Sequence, residues 1–451
     1  MSRKIKNCIY LIACLMFAYW FLVVLGDNGP VLETDSKIFM EPSQYIKQAY
    51  PIYTFFLAVC ENVFGEARYL YAVHFIQSAL TFLVSWLWTD YLKKHFNFNL
   101  VFSFLIYICT FLPYGYSLPE NVVSHHILTE GLAFPFFALY MLLVTRTFLE
   151  NKKRYLVAAG VVTIIMFMTR SQMVLMMPVY VVLWMIFFVR NFFEKIDIVH
   201  RKILSKVLIT AVIVCGGVVF LSIGKVVELS GWNQLTDAVM GRVLCAIDKE
   251  DRMLFQEDEQ EVFDLLYDTI EHSENRYPHF REGVWKWEDI MDATNENTLM
   301  YRETIYTYYL DSGSETAEKD VIRCINSVVS KLFYHHLDDY FMMSMHLFLQ
   351  SFVVAIFIHP SAIFLLCYYI AILLYLLAIG LLWYANCKIK LDLKYSIPLL
   401  FTLLMIVSIV VITNIVFYGL QRYVVYAFGS FYVSCLILVL GLVRERKGRT
   451  T

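Results

Sequence analysis

The chain has 451 residues, of which 59% are hydrophobic, 17% aromatic and only 17% charged, with a formal net charge of -2 and a mean hydropathy of +0.59. This balance excludes a soluble globular enzyme and, with no basic excess, a nucleic-acid-binding protein. Apolar runs of about 20 residues, enough to cross a bilayer as a helix, recur along most of the sequence, so the expected fold is an all-α polytopic membrane protein.

Taken in order, Arg3, Lys4 and Lys6 precede the first apolar run, Cys8 to Leu25, and no small-x-small cleavage site follows it. It reads as a retained span with a cytoplasmic N-terminus. The next stretch, GDNGPVLETDSKIFMEPSQYIKQAYP at 26–51, is thereby delivered to the outer face with Asp27, Glu33, Asp35 and Glu41. Acidic groups held against a membrane point to function, and Asp35 is the candidate catalytic base; a solvated acidic loop is the plain alternative. Ile52 to Phe64, interrupted by Glu61 and Asn62, fits an interfacial helix.

Further spans are expected over 69–91, 100–118 and 125–146. A helical hairpin over 155–189, turned at Thr169, Arg170, Ser171 and Gln172, gives the fifth and sixth, and 207–223 the seventh. From 225 to 340 acidic residues far outnumber basic ones, which reads as an extracytoplasmic, mainly helical domain with helices near 256–267 and 299–310. Its Cys245 and Cys324 are placed to form a disulfide. Its aromatics, among them Trp285, Trp287, Tyr301 and Tyr308, suit either stacking on sugars or packing on the membrane surface. An interfacial helix over 339–358 and spans over 362–384, 395–418 and 423–443 complete ten crossings, with the basic loops and both termini inside. The expected modules are 1–224, 225–340 and 341–451.

On a fourth span beginning at His125, residues His126, Thr129 and Glu130 fall at i, i+3 and i+4 and share one side. Together with Asp35, Arg170 and the Arg422/Tyr423 pair they gather at the outer ends of separate helices, where charge is costly unless it is paired or faces a cavity; a shared polar pocket is the expectation. Each has a structural alternative: Arg170 snorkelling, Glu130 favoured by a helix dipole, the histidines internally satisfied, Arg422 and Tyr423 anchoring the interface. Acids opposite arginines suit a reaction in which a base takes a proton from a hydroxyl while guanidinium groups hold a leaving phosphate.

The segments TDSKIF, AYPIYTFFLAV, ILTEGLAFPFFAL, FMTRSQM and QRYVVYAF occur in that order. In this arrangement the chain resembles the GT-C glycosyltransferases of the protein O-mannosyltransferase and aminoarabinose transferase type, which use polyprenyl-phosphate sugars. The resemblance implies an inverting transferase of the bacterial cytoplasmic membrane, active on its outer face, that moves sugar to a glycan, lipid or protein hydroxyl. It makes Asp35 the general base and Glu130 the second catalytic candidate, at the donor or acceptor pocket. Arg170 and Arg422 would contact the lipid phosphate, with Tyr423 beside them. Glu33, His125, His126 and Thr129 complete the candidate substrate site. No cofactor is required; some relatives use a divalent metal, which Asp35 and Glu130 would hold here. The family's adjacent Asp-Glu pair is absent, since Thr34 separates Glu33 from Asp35, so Asp35, Glu33 and Asp27 all stay open as the base. The competing functions are a surface-polysaccharide polymerase or ligase, and a lipid or solute transporter, which would carry polar or broken helices at the bilayer midplane.

Overall fold

The computed structural model describes residues 3–24, 29–40, 51–116, 122–170, 173, 176–193, 234–272, 290–311, 317–357, 364–416 and 424–450. Among them every regular element is helical, and the one departure is an isolated bridge between Val31 and His126. In chain order the helices are α1 (Arg3–Tyr19, continued by a π turn at Trp20–Val24), α2 (Thr34–Met40), α3 (Pro51–Phe64), α4 (Tyr69–Phe96) and α5 (Leu100–Tyr116). There follow α6 (Glu130–Glu150), α7 (Lys153–Thr169), α8 (Met176–Phe193), α9 (Gln234–Val243), α10 (Glu257–Glu271) and α11 (Ile290–Asp311). The last are α12 (Ala317–His335), α13 (Leu337–Val354), α14 (Phe364–Trp383), α15 (Leu393–Val416) and α16 (Phe428–Thr450).

Among the described residues six helical stretches are long and apolar enough to cross a membrane: Ile5–Val24, Tyr69–Phe96, Glu130–Glu150, Leu366–Ile389, Leu393–Val411 and Val425–Arg446. Of the other four crossings expected from sequence, α5 and α8 are shorter apolar helices, α7 has 17 residues, and 207–223 lies outside the described residues.

The chain divides into two units. The first comprises Met1–Gly231, Tyr375–Ser408 and Val425–Thr451. Its most enclosed span is α6, with 72% of its apolar stretch buried, packed on α4 and α7. At its start Phe134 stacks on Tyr426 with ring centroids 4.2 Å apart. A span so enclosed can carry polar groups at its head that a lipid-facing helix could not.

The second unit comprises Trp232–Leu374 and Ile409–Val424. Helices α9 to α12 close on a core that includes Met240, Phe263, Leu266, Ile305 and Val328. Helix α13 packs on α9, α11 and α12. Cys245 and Cys324 are both free and buried, which corrects the disulfide expectation: the Cys245 thiol bonds the Gly241 carbonyl and accepts from Asn297, while Cys324 is part of the apolar core. Tyr301 is likewise a core residue, buried with its hydroxyl on the Asp237 carboxylate, and offers no face to a sugar. Trp285 and Trp287 lie outside the described residues.

Candidate active site

The candidate site is assembled in the first unit around one backbone contact. Val31 lies extended beside His126: its N–H donates to the His125 carbonyl and its carbonyl accepts from Ile127 N–H, both at 2.9 Å. Residues 125 and 127 therefore spend their backbone groups on the acidic loop and cannot join α6. This is why α6 begins at Glu130, five residues later than the helix expected at His125. A short 3-10 turn, Val123–His125, precedes it, and the expected i, i+3, i+4 face of His126, Thr129 and Glu130 does not form.

Beyond Val31 the loop turns into α2. Glu33 N–H donates to Ser36 Oγ at 2.8 Å, an N-terminal cap that fixes the start of the helix. Phe39 packs edge-on against Tyr53 of α3, in an apolar cluster with Leu57, Val73, Ile127 and Leu132. Asp35 thus sits in the first turn of a docked helix, half-buried.

Glu33 reaches His126. The imidazole Nδ1–H donates to Glu33 Oε1 at 2.8 Å, which fixes the tautomer because a carboxylate only accepts. His126 is buried, and its Nε2 has no hydrogen-bond partner among the described residues. Burial pushes the imidazole below its ordinary pKa, and the Glu33 and Glu130 carboxylates only partly offset this. At neutral pH it is an oriented, uncharged base. His125 is committed elsewhere, its Nε2–H donating to the Leu22 carbonyl and so tying down the π turn after α1.

The deepest part is a triad at the head of α6. Glu130 is 1% exposed and Arg170 7%, and Arg170 Nη1 is ion-paired with Glu130 Oε2. The same Nη1 donates to Thr129 Oγ1 at 2.7 Å, and the Thr129 hydroxyl donates to Glu130 Oε2 at 3.1 Å. Thr129 occupies the N-cap position but makes no capping bond. Its hydroxyl is committed to the ion pair instead, a local stability device given up for a polar cluster. Arg170 ends α7 in extended backbone, so the turn read from FMTRSQM delivers a buried guanidinium and not a snorkelling one.

Sequence reasoning missed Gln77. Its amide donates to the Ser124 carbonyl at 2.9 Å and the His126 carbonyl at 3.2 Å, while its Oε1 accepts from Tyr53 OH at 3.2 Å. Gln77, Thr81, Ser85 and Thr89 form a buried polar stripe along α4, and this i, i+4 recurrence inside an apolar span was the available signal. Gly131 leaves room for this amide, since a Cβ there would lie 2.4 Å from it and displace the Gln77 side chain. Gln77→Leu is expected to cost about 1–3 kcal/mol, the penalty for stranding buried polar groups, read as a lower unfolding midpoint in detergent. An unchanged midpoint would mean that the Val31 contact alone holds the segment.

Comparison with known protein families, with curated proteins and with solved structures finds no match. The site's chemistry must therefore be argued from its own atoms. Glu33 joins His126, and Thr129, Glu130 and Arg170 join one another; Asp35 stands on the helix that follows Glu33. Asp27, Arg422 and Tyr423 lie outside the described residues. Among the described residues, Asp35 and Glu130 are not part of a group of three or more side chains close enough together to share a metal ion.

Proposed function

We propose that the protein is a membrane glycosyltransferase that moves a sugar from a polyprenyl-phosphate donor to a hydroxyl acceptor by single displacement with inversion. The acceptor oxygen bonds to the anomeric carbon, the bond from that carbon to the phosphate oxygen breaks, and polyprenyl phosphate leaves with the electron pair. The hydroxyl proton passes to Asp35. Arg170, oriented by Glu130 and Thr129, steadies the phosphate as its charge develops. The observation that carries the reading is the Val31 bridge, which closes the acidic loop onto the segment bearing His126, Thr129 and Glu130. An acid-rich loop and a buried arginine are thereby combined at the head of one enclosed span.

The Glu33–His126 hydrogen bond favours a second assignment of the base within the same reaction. A neutral imidazole oriented by a carboxylate, with its other nitrogen unpartnered, is a competent proton acceptor. Purified protein in nanodiscs, supplied with a panel of radiolabelled polyprenyl-monophosphate sugars, tests both. Wild type is expected to release sugar to acceptor or water with inverted anomeric configuration, and Asp35→Asn to bind donor without turning it over. Turnover that survives in Asp35→Asn but is lost in His126→Gln transfers the base to His126. Failure of wild type to turn over any monophosphate donor rejects the transferase reading and brings the polymerase and transporter functions forward.

A further inference from the structure

A second cluster of polar side chains lies wholly within the second unit. Asp251 belongs to a 3-10 turn, Lys249–Leu254; His335 is the last residue of α12 and His336 stands at the junction with α13. The Asp251 carboxylate is buried, 3% exposed, and its two oxygens face two different imidazoles. Oδ2 lies 2.8 Å from His336 Nε2 and Oδ1 lies 3.4 Å from His335 Nε2. His336 is 5% exposed and His335 54%, so the cluster is sealed on one side and opens to solvent on the other.

Three features distinguish this cluster from an ordinary ion pair. Its donors, two imidazole Nε2 atoms and a carboxylate, all lie within 4.8 Å of one another. That is the three-ligand composition of zinc sites that keep a fourth position open. Ligand atoms around tetrahedral zinc at about 2.0–2.1 Å stand roughly 3.3 Å apart, so a small opening at His336 and a swing of the exposed His335 would seat the ion. Behind His336, Nδ1 bonds the Asp339 carboxylate at 3.2 Å, the outer-shell partner that fixes the tautomer of a metal-bound histidine. Asp251 is held in turn, Oδ2 accepting the Asp248 N–H at 2.7 Å. Finally, no lysine or arginine pairs with this buried carboxylate among the described residues; its neighbour Arg252 is engaged with Asp264.

We infer that Asp251, His335 and His336 form a binding site for a divalent transition metal, zinc in the first instance, with Asp339 as the outer-shell support and a solvent-filled fourth position. The ion would fasten the 3-10 turn to the α12–α13 junction. The inference does not depend on the transferase reading.

The test uses the full-length protein in nanodiscs, stripped with chelator and titrated with Zn2+ against a chromogenic competitor. One Zn2+ per chain is expected, and Co2+ should give the intense visible absorption of a tetrahedral N/O site. Asp339→Asn should weaken binding about 10–100-fold, and His336→Ala should abolish it. Because His336 is buried, His335→Ala serves as the second variant: its side chain is 54% exposed, and its loss should weaken zinc and change the cobalt spectrum. Zinc binding that is absent in wild type, or equal in wild type, His335→Ala and His336→Ala, overturns the inference and leaves an imidazole–carboxylate strut.

Discussion

Arg170→Ala is expected to be among the most damaging single substitutions in the first unit, lowering its stability by about 3–5 kcal/mol, the cost of stranding one member of a buried ion pair. The magnitude follows from burial. Glu130 is 1% exposed and loses the guanidinium that neutralises it, while Thr129 loses the donor that holds its hydroxyl. The helix dipole at the head of α6 stabilises the stranded carboxylate only partly, by about 0.3–1 kcal/mol. Arg170→Lys should fall between wild type and alanine, because a single ammonium cannot reproduce the planar guanidinium.

The informative variant is the double one. Glu130→Gln with Arg170→Gln removes both charges, and should be less destabilised than the sum of Glu130→Gln and Arg170→Gln by a coupling of at least about 1 kcal/mol. Denaturation in mixed micelles reads all four species. Additive losses would mean that the two residues do not act as a unit, and would remove Arg170 from the phosphate-holding role, since that role needs Glu130 and Thr129 to orient it.

The parts of the molecule that follow from periodicity and composition were legible in the sequence. The apolar runs that fall on described residues became helices, whereas the helical turn at Thr34–Met40 and the inward side chain of Arg170 at the end of α7 had no periodic signal. What periodicity could not supply was the Val31 contact. A single bridge between residues 95 positions apart leaves no pattern in either segment, yet it withdraws the backbone of His125 and Ile127 from α6 and so dissolves the helical face on which His126, Thr129 and Glu130 were aligned. Glu33 illustrates the same limit. Its place near Asp35 marks it as a binding residue, but that its carboxylate would meet His126 follows only from the bridge. Gln77 was hidden for a different reason, as a polar residue inside a span that satisfies every criterion of length and hydropathy. The free Cys245 and Cys324 show that two cysteines in one polar block carry no pairing information without distances.

The second large effect is expected at Gly429. Pro113 interrupts α5; a proline has no N–H to give to the carbonyl four residues back, which is that of Cys109. α16 approaches at this freed carbonyl. A Cβ on Gly429 would lie 2.4 Å from Cys109 O and 3.3 Å from Pro113 Cδ. Neither neighbour is the end of a flexible side chain, so α5 and α16 would have to separate. Gly429→Ala should therefore exceed the roughly 0.5–1 kcal/mol that alanine ordinarily gains over glycine within a helix and destabilise by about 1–3 kcal/mol, the usual cost of overpacking, with Gly429→Val worse. Gly380 provides the control. It too lies inside an apolar helix, but nothing stands within 4 Å of its Cβ position, so Gly380→Ala should leave the unfolding midpoint unchanged or raise it. Equal midpoints for Gly429→Ala and Gly380→Ala would show that α5 and α16 slide apart at no cost, and the Pro113–Gly429 contact would then have no part in holding α16 in place.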